Sequence, residues 1–255
     1  MTPRLYIEDV LAAGETTPLS PEETHYLKNV LRREVGSDVL VFNERNGEFQ
    51  GSIVELGKRG GSILLQAQCR RADSGPVSQV TLAFAPVKRQ PTETIIQKGT
   101  ELGLTRFVPV LTARTNSDRL RVDRLSAIAK EAAEQSGRLS IPQVEFAISL
   151  PKFIDQNEYV TLIFCDEAGG DPEADWGGAT GRAQPMQDAI ANVETDHVVI
   201  LIGPEGGFTP EERATLRARY KTIPVTLGPR ILRADTAAIA AITLWQAAKG
   251  DLRKS

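Results

Sequence analysis

Two glycine-bearing loops hold the residues with the clearest chemical meaning. The first follows the apolar run Val199-Ile-Leu-Ile202 and reads Gly203-Pro-Glu-Gly-Gly207, with Phe208-Thr-Pro-Glu-Glu212 directly behind it. The second reads Leu227-Gly-Pro-Arg-Ile-Leu-Arg233. In open α/β sheets, ligands gather where a strand breaks into such a loop before a helix. The first loop has neither the Gly-Lys-Ser/Thr end of a phosphate-binding loop nor the spacing of a dinucleotide fingerprint. Thr209-Pro-Glu-Glu212 forms a capping box, in which the Thr209 hydroxyl and the Glu212 carboxylate satisfy each other's amides. Two acids therefore fill a helix start that would otherwise attract an anion.

A ligand at this loop should be uncharged or cationic where it touches, and held by main-chain amides and carbonyls. Gly203, Gly206 and Gly207 let a flat group approach the backbone closely. Phosphorylated cofactors are disfavoured, and S-adenosylmethionine, which carries no phosphate, is favoured. A tight structural turn is the plainer account of the loop by itself. In the second loop Arg233 can contact phosphate or stabilise developing charge; a surface or interface ion pair accounts for either arginine equally well. Asp235 or Thr236 can cap the next helix. Its alanines, Ala237, Ala238, Ala240, Ala241, Ala247 and Ala248, make it thin enough for close packing within the chain or between subunits. High helix propensity explains them as readily.

Positioning these loops takes a substantial core, which 255 residues with 41% hydrophobic and 25% charged content can supply as one large domain or two smaller ones. Residues 1–72 read as a small β-rich unit. Ser20-Pro-Glu-Glu23 starts a short helix carrying Leu27, Val30 and Leu31. Val39–Phe42, Phe49–Leu56 and Ser62–Gln68 read as strands. Residues 71–76 read as a linker. Beyond them, apolar strands at Val80–Ala85, Phe107–Leu111, Val160–Cys165, His197–Ile202 and Ile223–Leu227 alternate with helices at 91–102, 123–136 and 235–248. That alternation predicts a mostly parallel sheet covered on both faces. Residues 166–182 read as a Gly/Asp-rich loop.

The remaining composition narrows the function classes. No apolar run is long enough to span a membrane, and no secretory signal pattern opens the chain. Cys69 and Cys165 suggest neither a disulfide framework nor a zinc cluster, which fits a reducing cytoplasm. His25 and His197 have no ligand-spaced partners, so no metal is expected. The net charge of −3 argues weakly against nucleic acid, but residues 88–138 hold ten basic and six acidic side chains. This local excess is either a solvated helical face or a phosphate-contacting surface.

The ordered set of motifs resembles one family. Ile202-Gly-Pro-Glu-Gly-Gly-Phe208 and Leu227-Gly-Pro-Arg-Ile-Leu-Arg-Ala-Asp-Thr-Ala237 are similar to the two signature loops of the RsmE family, SPOUT-class methyltransferases acting on N3 of a uridine in small-subunit ribosomal RNA. Gln97-Lys-Gly-Thr-Glu-Leu-Gly103, Arg114 after Pro109-Val-Leu-Thr-Ala113, Glu131-Ala-Ala-Glu-Gln-Ser-Gly-Arg138 and the His25–Arg32 segment match in the same order. Each motif is weak alone; together they cover nearly the whole chain. Asp235 stands where the family usually has Glu, which shortens a carboxylate by one carbon. Leu125 replaces a frequent Trp, which reads as a change within the packed interior.

The resemblance implies an α/β protein with a C-terminal trefoil-knotted SPOUT domain, residues 76–255, behind a PUA-like β-barrel, residues 1–72. True knots are otherwise nearly absent from proteins. It also implies a homodimer binding S-adenosylmethionine. Leu201, Ile202, Gly203, Pro204, Glu205, Gly206 and Gly207 would form one wall of the pocket. Leu227, Gly228, Ile231 and Leu232 would form a second, and Cys165, Asp166 and Glu167 would close a third side. Arg233 and Arg114 are expected near the target base or its phosphate. Asp235 and Glu205 are candidates to take the N3 proton by location only, with helix capping and turn-holding as their plainer roles. Arg32, Lys88, Arg89, Lys98, Arg114 and Arg138 would contact RNA. Two other readings stand beside this one: an RNA-binding assembly factor with a degenerate pocket, and a SPOUT methyltransferase acting at another RNA position.

Overall fold

A computed structural model describes residues 2–72, 78–116, 120–166 and 183–253. The chain divides into two compact units, Met1–Pro76 with Ala133–Ser140, and Val77–Ala132 with Ile141–Ser255.

In the first unit, strands β1 (Arg4–Tyr6), β2 (Thr16–Leu19), β3 (Asp38–Asn43), β4 (Gly47–Leu56) and β5 (Gly61–Arg70) form one sheet in the order β1-β3-β4-β5-β2. Only β1 and β3 run parallel. Three register shifts interrupt the β4–β5 ladder, and such bulges bend a sheet toward closure. Alternate residues Val39, Val41, Phe49, Ile53, Ile63 and Leu65 point into a common core with Leu5 and Leu27. The buried Asn43 side chain organises the turn after β3: its amide donates to the carbonyls of Ile7 and Asp9, and its carbonyl accepts from the amides of Arg45 and Asn46. Arg4 lies 4.1 Å above the Phe42 ring and donates to the carbonyls of Ala133, Glu134 and Arg138, which fastens that later segment to this unit.

Ser20 closes the predicted capping box of helix α1 (Pro21–His25). The helix then widens into a π turn, Tyr26–Val30, with the Leu31 amide bonded to the Tyr26 carbonyl. A π turn takes an extra residue, which rotates the residues beyond it. Leu27 is buried, but Val30 is 58% exposed, contrary to the apolar face expected from spacing.

The second unit contains β6 (Gln79–Phe84), α2 (Arg89–Glu101), β7 (Arg106–Leu111), α3 (Val122–Ser136) as far as Ala132, β8 (Gln143–Val144), β9 (Ile148–Ser149), α4 (Leu150–Gln156) and β10 (Thr161–Cys165). These are followed by β11 (Gln184–Pro185), α5 (Met186–Ala189), β12 (His197–Ile202), α6 (Pro210–Ala218), β13 (Thr222–Thr226) and α7 (Ala234–Ala248). Its sheet runs β11-β13-β10-β12-β6-β7-β8, with β9 paired to β7, and every pairing is parallel.

The continuous apolar runs follow from burial on both faces. Leu82, Phe84, Ile163, Val198 and Ile200 pack with Ile95 and Ile96 of α2, Leu125 and Ala129 of α3, and Ile242 and Trp245 of α7. Ala83, Val108, Phe164, Val199 and Leu201 pack with Phe153 of α4 and Leu216 of α6. Ala237, Ala238 and Ala241 are buried against the first of these layers, so packing within the chain uses the thin face of α7. The expected cap of α7 is not formed as predicted. Arg233 occupies the N-cap without a side-chain bond. Asp235 instead accepts from the Thr236 amide at 2.8 Å, from a position two residues past the N-cap.

Gly99 marks a tight seam of this core. A Cβ there would stand 2.7 Å from Leu104 Cδ1 and from Phe107 Cε1. Gly99→Ala should therefore lower stability by up to about 2 kcal/mol, because overpacking of about 1–3 kcal/mol offsets or outweighs the gain in helix propensity of about 1 kcal/mol. Urea unfolding of the two proteins would show it, and an unchanged or raised midpoint would mean that the seam yields freely.

Candidate functional site

The parallel sheet brings its loops to one edge. Phe164 of β10 is level with Leu201 of β12 and Pro224 of β13, and Cys165 is level with Val225. Ile202 is level with Phe84 of β6, and Phe84 with Pro109 of β7. The segments beginning at Asp166, Gly203, Leu227 and Thr112 therefore all leave from the carboxyl edge. Strand β10 lies between the two strands that feed the glycine loops.

The first loop is fixed from both ends. Leu201, Ile202 and Pro204 are buried, while Glu205 and Gly206 are exposed. The Phe208 ring sits where a Cβ on Gly203 would fall, 2.5 Å from the nearest ring carbon, and packs edge-on against Phe164 with ring centres 5.2 Å apart. The Gly207 amide closes a turn on the Pro204 carbonyl at 2.8 Å, with Gly207 at φ +67°. The capping box behind the loop forms as predicted: the Thr209 amide donates to Glu212 Oε2 at 2.9 Å, and the Glu212 amide donates to Thr209 Oγ1 at 3.2 Å.

The second loop turns at Gly228, whose φ is +119°. The Thr226 hydroxyl braces it, accepting from the Gly228 amide and donating to the Gly228 carbonyl, both at 3.2 Å. Leu227 and Leu232 pack against the core, and Ile231 is 65% exposed. Among the described residues, no atom beyond the chain neighbours lies within 4 Å of a Cβ placed on Gly207 or on Gly228. Each loop thus offers open main chain, the kind of surface a flat, phosphate-free ligand would use.

Asp166 plays a part that the sequence alone does not reveal. Its amide bonds the Val225 carbonyl at 3.1 Å, and its side chain is buried beneath two arginines of α6. Arg213 Nε approaches Asp166 Oδ1 to 3.2 Å, and Arg217 Nη2 approaches Oδ2 to 2.7 Å. The carboxylate fastens the helix behind the first glycine loop to the ends of β10 and β13. Four-residue spacing puts Arg213 and Arg217 on one helix face; that was the available signal. Cys165 is partly buried beside it. Glu167 lies outside the described residues.

Among the expected RNA-side residues, Arg114 is exposed and donates through Nη1 to the Gly206 carbonyl at 2.8 Å. Arg233 is exposed and has no side-chain partner among the described residues. The basic stretch is largely paired. Arg89 and Arg124 both donate to Glu93, at 2.8 and 2.6 Å, and their bonds hold its carboxyl down at about 2. Lys98 bonds Glu101 at 2.8 Å, while Lys88 is exposed at the N-cap of α2. Arg32 and Arg138 belong to the first unit. Arg32 has φ +53°, a left-handed conformation unusual for a side chain of that size, and Arg138 donates to Ser140.

His197 begins β12, roughly 20 Å before the loop at about 3.3 Å per residue. Burial, with Arg106 adding to it, pushes its imidazole pKa down. Among the described residues no cluster of His, Cys, Asp and Glu could hold a metal, and no helix is long and apolar enough to cross a membrane.

Comparison with known proteins agrees with this geometry. Residues 73–246 match an RNA methyltransferase domain, and residues 19–65 match an RNA methyltransferase PUA domain. Ribosomal RNA small subunit methyltransferase E of Rickettsia conorii is 32% identical over 94% of this chain and 93% of its own. Its Bacillus subtilis namesake is 29% identical over 94% of each. A methyltransferase from Legionella pneumophila, solved with bound S-adenosylmethionine, superposes with a TM-score of 0.82 at 29% identity, over 97% of this chain and 98% of that one. The Neisseria gonorrhoeae methyltransferase E, also bound to S-adenosylmethionine, gives 0.76 at 26% identity over the same shares. The SPOUT-class knotted α/β domain and the PUA-like barrel are the folds expected from the sequence.

Proposed function

The chain belongs to the ribosomal RNA small subunit methyltransferase E family, and from that premise we propose that it methylates N3 of a uridine in small-subunit ribosomal RNA. It is an S-adenosylmethionine-dependent RNA methyltransferase. The observation that carries the reading is the pair of open main-chain surfaces at Gly207 and Gly228, on loops leaving one edge of a parallel sheet. They fit a cofactor held by backbone groups at a helix start already filled by acids.

S-adenosylmethionine supplies an electrophilic methyl group on a sulfonium. The chain has to hold the uridine in line with it, exclude water and stabilise the anion left when N3 loses its proton. Positioning alone can supply roughly 7–11 kcal/mol in ideal cases. We assign the wall of the pocket to the segments Leu201–Gly207, Leu227–Leu232 and Cys165–Asp166. Arg114 and Arg233 are assigned to the uracil oxygens or the neighbouring phosphate, with Asp235 beside Arg233. Arg32, Lys88, Arg89, Lys98 and Arg138 would contact the RNA backbone. Action as a homodimer in the cytoplasm belongs to the same proposal.

Titration calorimetry with S-adenosylmethionine should give saturable heat. Its absence from folded protein would favour the RNA-binding factor instead. Ribosomal RNA from a deletion strain should lack one N3-methyluridine; an unchanged level would remove the uridine assignment. Gly206→Val should abolish that heat while preserving the fold. The first added carbon would meet only Arg114 side-chain carbons, at 3.5 and 3.6 Å, which is ordinary contact. Normal binding by this variant would place the pocket elsewhere.

A further inference from the structure

Glu212 does more than close a capping box. One carboxylate oxygen, Oε2, accepts from the Thr209 amide at 2.9 Å; the other, Oε1, accepts from the Ala113 amide at 2.7 Å. A capping box needs only one acceptor, and glutamine serves as well as glutamate. The second contact reaches a different segment, the turn after β7, which is already tightened by the Thr112 amide on Thr115 Oγ1 at 2.9 Å. Arg114 is the next residue in that turn, and it reaches back to the Gly206 carbonyl at 2.8 Å. Two bonds thus join the turn to the glycine loop and its helix, one at each end of the 206–212 stretch.

We propose that Glu212 is a positioning residue for methyl transfer, setting Arg114 against the cofactor loop through the Ala113 amide. The inference rests on the assignment of Arg114 to the target uridine. Both contacts made by the carboxylate are to N–H donors. A carboxamide offers one acceptor oxygen and an NH2 group, which cannot receive the second N–H. Glu212→Gln can therefore keep the cap or keep Ala113, but not both.

The test uses the full-length protein with S-adenosylmethionine and a small-subunit RNA substrate. Glu212→Gln should lower kcat by about tenfold to a hundredfold, the scale of a displaced catalytic group, with cofactor affinity unchanged. Thr209→Ala, which weakens the cap but leaves the Ala113 contact, should lower the melting temperature and leave kcat nearly intact. In an Arg114→Ala background, Glu212→Gln should cost little more, because the group it positions is gone. Amide hydrogen exchange should show Ala113 losing protection in Glu212→Gln while residues 213–218 keep theirs.

An equal loss of kcat in both backgrounds would overturn the proposal, as would full protection of Ala113 in the variant. Absence of N3-methyluridine from the wild-type reaction would instead sink the functional assignment, and the exchange measurement would still decide whether the clamp exists.

Discussion

Alanine in place of Arg233 is expected to slow methyl transfer by about 10²–10³-fold, the usual cost of removing a donor aimed at developing charge. The assignment gives this side chain the uracil oxygens or an adjacent phosphate, where charge grows as N3 is deprotonated. No described residue competes for it: Arg233 is exposed, has no side-chain partner among the described residues, and its N-cap position uses only its backbone. Stability should therefore change by less than about 0.5 kcal/mol, as for an ordinary surface substitution. Cofactor affinity should hold. Single-turnover kinetics beside calorimetry separates the two quantities, and parallel losses in both would place Arg233 at the cofactor rather than the RNA. Arg233→Lys should recover part of the rate, since it keeps the charge and loses the planar fork.

Asp166→Ala should be the most destabilising single change at the site, by about 3–5 kcal/mol, because it strands buried guanidinium charge. Asp166, Arg213 and Arg217 have side-chain exposures of only 6%, 10% and 22%, so solvent screens them little. The variant also frees α6 from β10, so the first glycine loop loses its anchor and cofactor binding should weaken as well. Asp166→Asn should be milder, since its shape and one acceptor survive. Guanidinium unfolding of the three proteins would rank them. A loss below about 1 kcal/mol for alanine, the level of an exposed pair, would mean that water replaces the carboxylate.

Local signals made most of the second unit legible. Strands such as Val80–Ala85 and His197–Ile202 are apolar runs bounded by turn residues, and a strand buried on both faces needs nothing more. The caps at Ser20 and Thr209 are written within four residues each. In the first unit, β1 has three residues and β2 carries Pro18, too short and too broken for alternation to register. The π turn at Tyr26–Val30 left no mark in the apolar spacing. At the site, the glycine loops could be read, but their fastenings could not. Glu212 meets Ala113 and Asp166 meets Arg213 only after the sheet has set distant segments side by side. A pattern within one helix shows that Arg213 and Arg217 share a face; it does not show what that face meets.

The strand order also governs when the enzyme can exist at all. Strand β12 pairs with β6, and β13, the last strand of the chain, lies between β10 and β11. The loops assigned to the cofactor thus depend on pairings between remote segments, the contacts that make folding slow because long loops must close first. On the ribosome, the hairpins β3–β4 and β4–β5 can pair while most of the chain is still unsynthesised. The carboxyl edge cannot assemble until β13 has emerged. The edge to which the chemistry is assigned is thus the last part of the sheet to form.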